Sequence, residues 1–188
     1  MMQKITFVIL HYQNMEDTIA CVTSIREHMS YEEYAIVIVD NASSNGSGEK
    51  LENFYKEIET IYVLKNKQNE GYAKGNNLGY QFAKRELKSD FIVILNNDTE
   101  IRQKDFCNVL IEKYQTSGYH VLGPDIVDLN GNHQNPHRME LVGEEKLKKV
   151  IRNRTMITYF LKVLRFLHIT NGVKFLEVLE QSGGNSEQ

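Results

Sequence analysis

The run Phe91-Ile-Val-Ile-Leu95, stopping abruptly at Asn96-Asn97-Asp98, constrains the fold more than any other stretch of the chain. Consecutive apolar residues with β-branched side chains, bounded by polar ones, suit a strand buried on both faces in a parallel sheet covered by helices. Such sheets bind ligands beyond the carboxyl ends of their strands. Two amides and a carboxylate therefore emerge where an α/β protein places its chemistry. The carboxylate is a hard oxygen ligand that suits Mg²⁺ or Mn²⁺ carrying a phosphate. Taken alone, the same residues read more simply as a polar turn.

The rest of the chain repeats this pattern. Ile5–Leu10 predicts a first buried strand that runs into His11-Tyr12-Gln13-Asn14. Asn14 then caps a helix reaching about His28, with Glu16 and Asp17 in its first turn, where the helix dipole favours acids. Tyr34–Val39 predicts a second strand, ending at Asp40 and opening into a loop of turn-forming residues through Ser47. A helix from about Gly48 to Glu57 and a strand near Ile61–Leu64 follow. After the polar loop Asn66–Gly71, a helix is expected to about Leu87. Gly71, Gly75 and Gly79 share one face of that helix and permit close backbone approach. Beyond Leu95 come a helix over about Gln103–Thr116, a short strand at Tyr119–Leu122 and a turn at Asp128–Asn132. Strands alternating with helices imply an α/β fold with a mainly parallel sheet.

Composition narrows the possibilities. With 188 residues the chain suffices for one sizeable domain. Cys21 and Cys107 lie far apart and match no metal spacing, so a reducing cytoplasm is the simpler setting. No basic n-region precedes the first apolar run, so a signal peptide is not expected. Up to Glu145 there are 14 Lys+Arg against 22 Asp+Glu, whereas from Lys146 there are 8 against 3. An acidic body argues against a general nucleic-acid binder, and the change of sign marks a boundary near residue 145. The expected organisation is an α/β domain over 1–145, a basic amphipathic helical tail over 146–181 and a disordered end over 182–188.

Several ways of handling phosphate or hydrolysis are missing from the sequence. There is no G-x-G-x-x-G after the first strand, no G-x-x-x-x-G-K-[ST], no H-E-x-x-H and no G-x-S-x-G. His133 and His137 sit in a turn-rich segment and read as surface residues. What remains is a set of polar strand ends: Tyr12–Asn14, Asp40–Ser43, Asn66–Gly71 and Asn96–Asp98. Converging on one sheet edge, they suit a nucleotide diphosphate. Asp40 would accept from a base N–H or ribose hydroxyl, a metal on Asp98 would neutralise the diphosphate, and Lys74 and backbone N–H groups would add donors.

With these residues in place, the chain resembles the N-terminal half of family 2 glycosyltransferases, and within them the rhamnosyltransferase-like branch. The likeness rests on Val8-Ile-Leu-His-Tyr-Gln-Asn14, Ile38-Val-Asp-Asn-Ala-Ser43, Asn69-Glu-Gly-Tyr-Ala-Lys-Gly-Asn-Asn-Leu-Gly79 and Leu95-Asn-Asn-Asp-Thr-Glu100, in order and spacing, over roughly residues 4–136. The resemblance implies a GT-A fold, a three-layer α/β/α arrangement with a mainly parallel sheet, here followed by a helical tail. It also implies a nucleotide-sugar site drawn from Tyr12, Asp40, Asn41, Ser43, Asn69, Gly71, Lys74, Asn76, Asn96 and Asp98, with Asp98 as the ligand of Mg²⁺ or Mn²⁺. Asn96 stands where the family's D-x-D motif has its first acid. Family members transfer the sugar with inversion, and a carboxylate base in the second half deprotonates the acceptor. No motif after Gly143 matches that base, so no catalytic residue is assigned. The chain is expected to be a fragment holding the donor-binding half, inactive or weakly active by itself.

The tail has two readings. Lys146 to His168 carries seven Lys/Arg and no acid, interleaved with apolar residues, and its apolar run is far short of a membrane span. Such a helix lies on an anionic membrane surface, or packs against the missing half or a second copy of the chain as a homodimer. The expected setting is the cytoplasm, with the inner face of the plasma membrane as the site of any lipid contact. The expected function is sugar transfer from a nucleotide-diphosphate sugar to a glycan or lipid-linked acceptor in surface polysaccharide synthesis. The alternatives are a sugar-phosphate nucleotidyltransferase and a non-catalytic nucleotide-sugar-binding module.

Overall fold

A computed structural model describes residues 2–134, together with Lys148, Arg152 and Met156 further along. Apart from those three residues, the tail over 146–181 lies outside the described residues, as do the end over 182–188 and the boundary near 145. The order of elements is β1 (Ile5–His11), α1 (Met15–His28), β2 (Tyr34–Asp40), α2 (Ser47–Tyr55), β3 (Ile61–Lys65), α3 (Gly71–Arg85), β4 (Phe91–Asn96) and α4 (Phe106–Ser117). Chain contacts separate Met1–Leu122 from the part beginning at Gly123. All eight elements belong to the first of these.

The four strands form one parallel sheet in the order β3-β2-β1-β4. Alternation along β1 and β2 explains its two covered faces. Ile5, Phe7 and Ile9 with Ile36 and Ile38 pack against Cys21, Val22 and Ile25 of α1, Leu51 and Tyr55 of α2 and Cys107 of α4. Val8, Val37 and Val39 face the other way, against Ala83 and Phe82 of α3. Phe7 is fully buried, and burying a side chain of that kind stabilises by about 2 kcal/mol. The expected three-layer arrangement with a parallel sheet is what forms.

Three expectations need correction. β4 is not buried on both faces: it pairs only with β1 among the described residues, and Ile94 is 46% exposed. Phe91 and Val93 pack on one face and Ile92 on the other, all only partly buried, and the edge away from β1 has no partner among the described residues. Tyr119–Leu122 forms no strand, because its backbone has no neighbour to pair with among the described residues, and Val121 is almost fully exposed. Of the three glycines, Gly75 and Gly79 allow close approach, since a Cβ there would collide with Leu10 and Val8 respectively. Gly71 does not: nothing lies within 4 Å of where a Cβ would stand, and its role is a φ of +77° at the start of α3. His133 is exposed and pairs with Asp125 at 2.8 Å, as its turn-rich setting suggested, while His137 lies outside the described residues. Among the described residues no helix is long and apolar enough to cross a membrane.

Candidate nucleotide-sugar site

The parallel register brings the polar strand ends to one edge. His11 stands opposite Asp40, Asp40 opposite Lys65, and Asn96 opposite Leu10. The carboxyl ends of all four strands therefore lie side by side. A shallow cavity of about 480 Å³ on the outer side of α1 contains none of the expected site residues.

At the end of β2, Asp40 and Asn41 are 4% and 3% exposed. Asp40 Oδ1 accepts the Ser43 backbone N–H at 3.1 Å, and its Oδ2 lies against Gly48. The carboxylate thus organises the loop into α2 and offers a ligand only an edge. Ser43 Oγ in turn accepts the Gln13 backbone N–H at 2.8 Å, tying the β1 exit to the β2 exit. Gln13 and Ala42 both adopt left-handed backbone, φ 64° and 61°. Non-glycine residues held this way are costly and concentrate at functional sites.

Asn41 is the clamp of the next loop. Its Nδ2 donates to Asn69 Oδ1 at 3.0 Å and to the Gly71 carbonyl at 3.4 Å. Its Oδ1 accepts from Asn66 Nδ2 at 3.0 Å and from the Glu70 N–H at 3.1 Å. Asn69 Oδ1 also accepts the Gly71 N–H at 2.9 Å. Lys74 is turned to Glu70, 3.3 Å away across one turn of α3, and the Gln68 amide and Lys74 hold the Glu70 carboxyl below its usual pKa. Asn76 is buried, donating to the Tyr72 carbonyl at 3.1 Å, and its Oδ1 has no hydrogen-bond partner among the described residues.

At the end of β4 the three polar residues separate. Asn96 Oδ1 accepts the Tyr72 hydroxyl at 3.0 Å. Asn97 turns back to α1, its Nδ2 donating to the Asn14 carbonyl at 3.4 Å and to Thr18 Oγ1 at 3.3 Å. The loop is fastened again where Ser24 Oγ accepts the Ile101 N–H at 3.0 Å. Asp98 therefore sits on a braced turn, exposed, with no hydrogen bond or ion pair to its carboxylate among the described residues. Among those residues no cluster of three acids, histidines or cysteines exists to cage a metal. One free carboxylate still fits Mg²⁺ or Mn²⁺, because such ions keep several waters and take further oxygens from a substrate's phosphates.

Beneath the site lies a group that its sequence did not distinguish. His11 is fully buried, with Nδ1 2.7 Å from Thr18 Oγ1 and Nε2 2.7 Å from Ser47 Oγ. Thr18 spends its hydroxyl proton on the Asn14 carbonyl at 3.0 Å. The His11 Nδ1–H must then donate to Thr18, and Ser47 must donate to Nε2. Burial lowers the His11 pKa, opposed by the Asp40 charge, so the ring is held neutral in this one tautomer. It links the starts of α1 and α2 and, through Thr18, the Asn97 turn. Thr18 and Ser24 likewise lacked any signal, since each matters through a partner distant in sequence, and so did Gly48, which matters through Asp40 at the end of the preceding strand. Tyr12, at 45% exposure, stands open at the β1 exit.

The comparisons with known proteins agree with this frame. The chain is 27% identical over 131 residues to the low-salt glycan biosynthesis hexosyltransferase Agl10 of Haloferax volcanii, covering 70% of this chain and 39% of that protein. It is 26% identical over 129 residues to the dTDP-rhamnosyl transferase RfbF of Shigella flexneri, covering 69% and 40%. The chain thus spans about two fifths of the length of these relatives. Among solved structures, the mannosyltransferase PcManGT of Pyrobaculum calidifontis, in complex with GDP-Man and Mn²⁺, superposes with a TM-score of 0.51 at 17% identity, over 59% of this chain and 32% of that one. S. aureus TarS 1-349 gives 0.51 at 16% identity, over 69% and 43%. These likenesses show the GT-A fold. The model of glycosyl transferase family 2 matches residues 6–173, and the chain belongs to that family.

Proposed function

We propose that this chain forms the donor-binding part of a glycosyltransferase that moves a sugar from a nucleotide-diphosphate donor to a glycan or lipid-linked acceptor, with inversion and a divalent cation. The observation that carries the reading is the register at the carboxyl edge. It lines up four polar strand ends and leaves, among the described residues, a single uncommitted carboxylate, Asp98, at one of them. RfbF is named as a dTDP-rhamnosyl transferase and PcManGT was solved with GDP-Man and Mn²⁺, which supports a nucleotide-sugar donor with Mg²⁺ or Mn²⁺ here.

In this reading Tyr12 offers its ring to the nucleoside, and the edge of Asp40 accepts from a base N–H or ribose hydroxyl. The Asn41 clamp fixes the Asn69–Gly71 backbone beside the donor. Lys74 leaves Glu70 to meet a phosphate, and Asp98 would hold the cation on the diphosphate, where it would supply charge neutralisation for the leaving group. No carboxylate of the chain is assigned as the acceptor's base, so the chain by itself binds donor and transfers sugar poorly. Its setting in this reading is the cytoplasmic side of surface polysaccharide synthesis.

The decisive experiment is calorimetric titration of UDP-, GDP- and dTDP-sugars with and without Mn²⁺, on the wild type and Asp98→Ala. One donor should bind only with the cation, and the variant should lose at least tenfold in affinity. Binding that ignored both the cation and the substitution would overturn the reading. Robust turnover by this chain on a defined acceptor would overturn the donor-only assignment.

A further inference from the structure

Asn96 closes β4 two residues before the free carboxylate of Asp98, and its side chain has different groups to offer a ligand. The side-chain amide has one oxygen and two N–H donors. Its Oδ1 accepts the Tyr72 hydroxyl at 3.0 Å, from the first turn of α3 across to the end of β4. Its Nδ2 has no hydrogen-bond partner among the described residues, and the residue is exposed. The uncommitted capacity of Asn96 is therefore donor capacity. An N–H group carries partial positive charge and does not ligate a metal ion, but it pairs well with an oxygen that accepts, whether of a phosphate or of a hydroxyl.

We propose that Tyr72 is a positioning residue that orients Asn96 as a hydrogen-bond donor toward an oxygen of the nucleotide, leaving the cation to Asp98 alone. The inference rests on the nucleotide-diphosphate reading of this edge and deepens it. It also accounts for a tyrosine that is 60% exposed yet engaged through its hydroxyl. Asn97 cannot share the task, because its amide is committed to α1. The oxygen recognised belongs either to a phosphate or to a ribose hydroxyl.

The test is a double-mutant cycle read by calorimetry with UDP, GDP and dTDP in Mn²⁺, continued with whichever binds tightest. Tyr72→Phe and Asn96→Ala should each weaken binding about fivefold, the loss expected for one hydrogen bond. The double variant should be no weaker than either single one, since the two residues act as a unit. Asn96→Asp should weaken binding too, because a carboxylate donates to neither oxygen and its charge repels a phosphate. Repeating Asn96→Ala with the parent nucleoside separates the two sources: a penalty that persists assigns the ribose, and one that vanishes assigns a phosphate. Thermal melting of Tyr72→Phe should match the wild type. Additive losses, a neutral Tyr72→Phe, or tighter Mn²⁺-dependent binding by Asn96→Asp would each overturn the proposal. A wild-type chain that binds none of the three nucleotides would instead overturn the donor-site reading, and this inference with it.

Discussion

Gly48 lies directly against the carboxylate of Asp40, so close that a methyl group on its Cα would overlap Oδ2. The second residue of α2 thereby sets how far the Asp40 side chain can turn. The contact couples a helix start, where no ligand is expected to touch, to the acid at the end of β2.

Gly48→Ala should therefore push Asp40 out of its place. Overpacking of this kind costs about 1–3 kcal/mol. Thermal denaturation should report that loss, and nucleotide-sugar affinity should fall by tenfold or more. Retained affinity at reduced stability would show that Asp40 takes no part in binding.

Asn41→Ala should be felt through the loop it clamps. Asn66, Asn69, Glu70 and Gly71 all bond to its side chain. Leaving several of these groups without partners costs about 1–3 kcal/mol. Amide hydrogen exchange across 66–71 should quicken while exchange in β1 stays slow. An unchanged loop would show that Asn69 and Gly71 hold themselves.

His11 gives the domain an acid-sensitive element. Its folded pKa lies below the ordinary 6.5 because burial disfavours the charged ring. As pH falls below 6.5 the unfolded chain takes up a proton that the folded chain refuses, so this stability is present above that value and lost on acidification. His11→Asn should lower stability at neutral pH by about 1–3 kcal/mol, since Thr18 and Ser47 lose partners. It should also flatten the slope between pH 7 and 5. Equal slopes in both proteins would rule out the assignment.

Both cysteines should resist alkylation in the native state. Burial pushes the Cys21 and Cys107 thiols up to about 12, with Asp98 and Glu100 adding to the effect at Cys21. Iodoacetamide at pH 8 should label the unfolded chain rapidly and the folded chain hardly at all, as read by mass spectrometry. Fast native labelling at Cys107 would mean that α4 opens readily.

The sheet was legible because its strands are short apolar runs that end in amides and acids, and each such ending marks a carboxyl terminus of a parallel strand. The Asn14 cap was legible for the same local reason: its Oδ1 accepts the Asp17 N–H at 3.2 Å. Edge position was not, since Phe91–Leu95 reads alike with one neighbour or two. Nor was the sorting of Asn96, Asn97 and Asp98, which depends on Tyr72 and α1, residues far away in sequence. His11 looked like part of a polar strand end, and only the fold reveals that its ring points inward, to Thr18 and Ser47. Local chemistry announces where a site is, whereas long-range packing decides what each of its side chains is free to do.

The pairing of β1 with β4 has a kinetic consequence. The two strands are joined across most of the domain, and the Lys4 N–H donates to Asp90 Oδ2 at 2.8 Å over a separation of 86 residues. Contacts that close so long a loop are slow to form. The β1–β2–β3 side, with Asp40 and the Asn41 clamp, needs only short crossovers. During synthesis the edge carrying Asp40 is therefore built first, and β4 with Asp98 arrives last. The same strand, with no partner on its outer edge among the described residues, is the natural place for the folded domain to begin to fray.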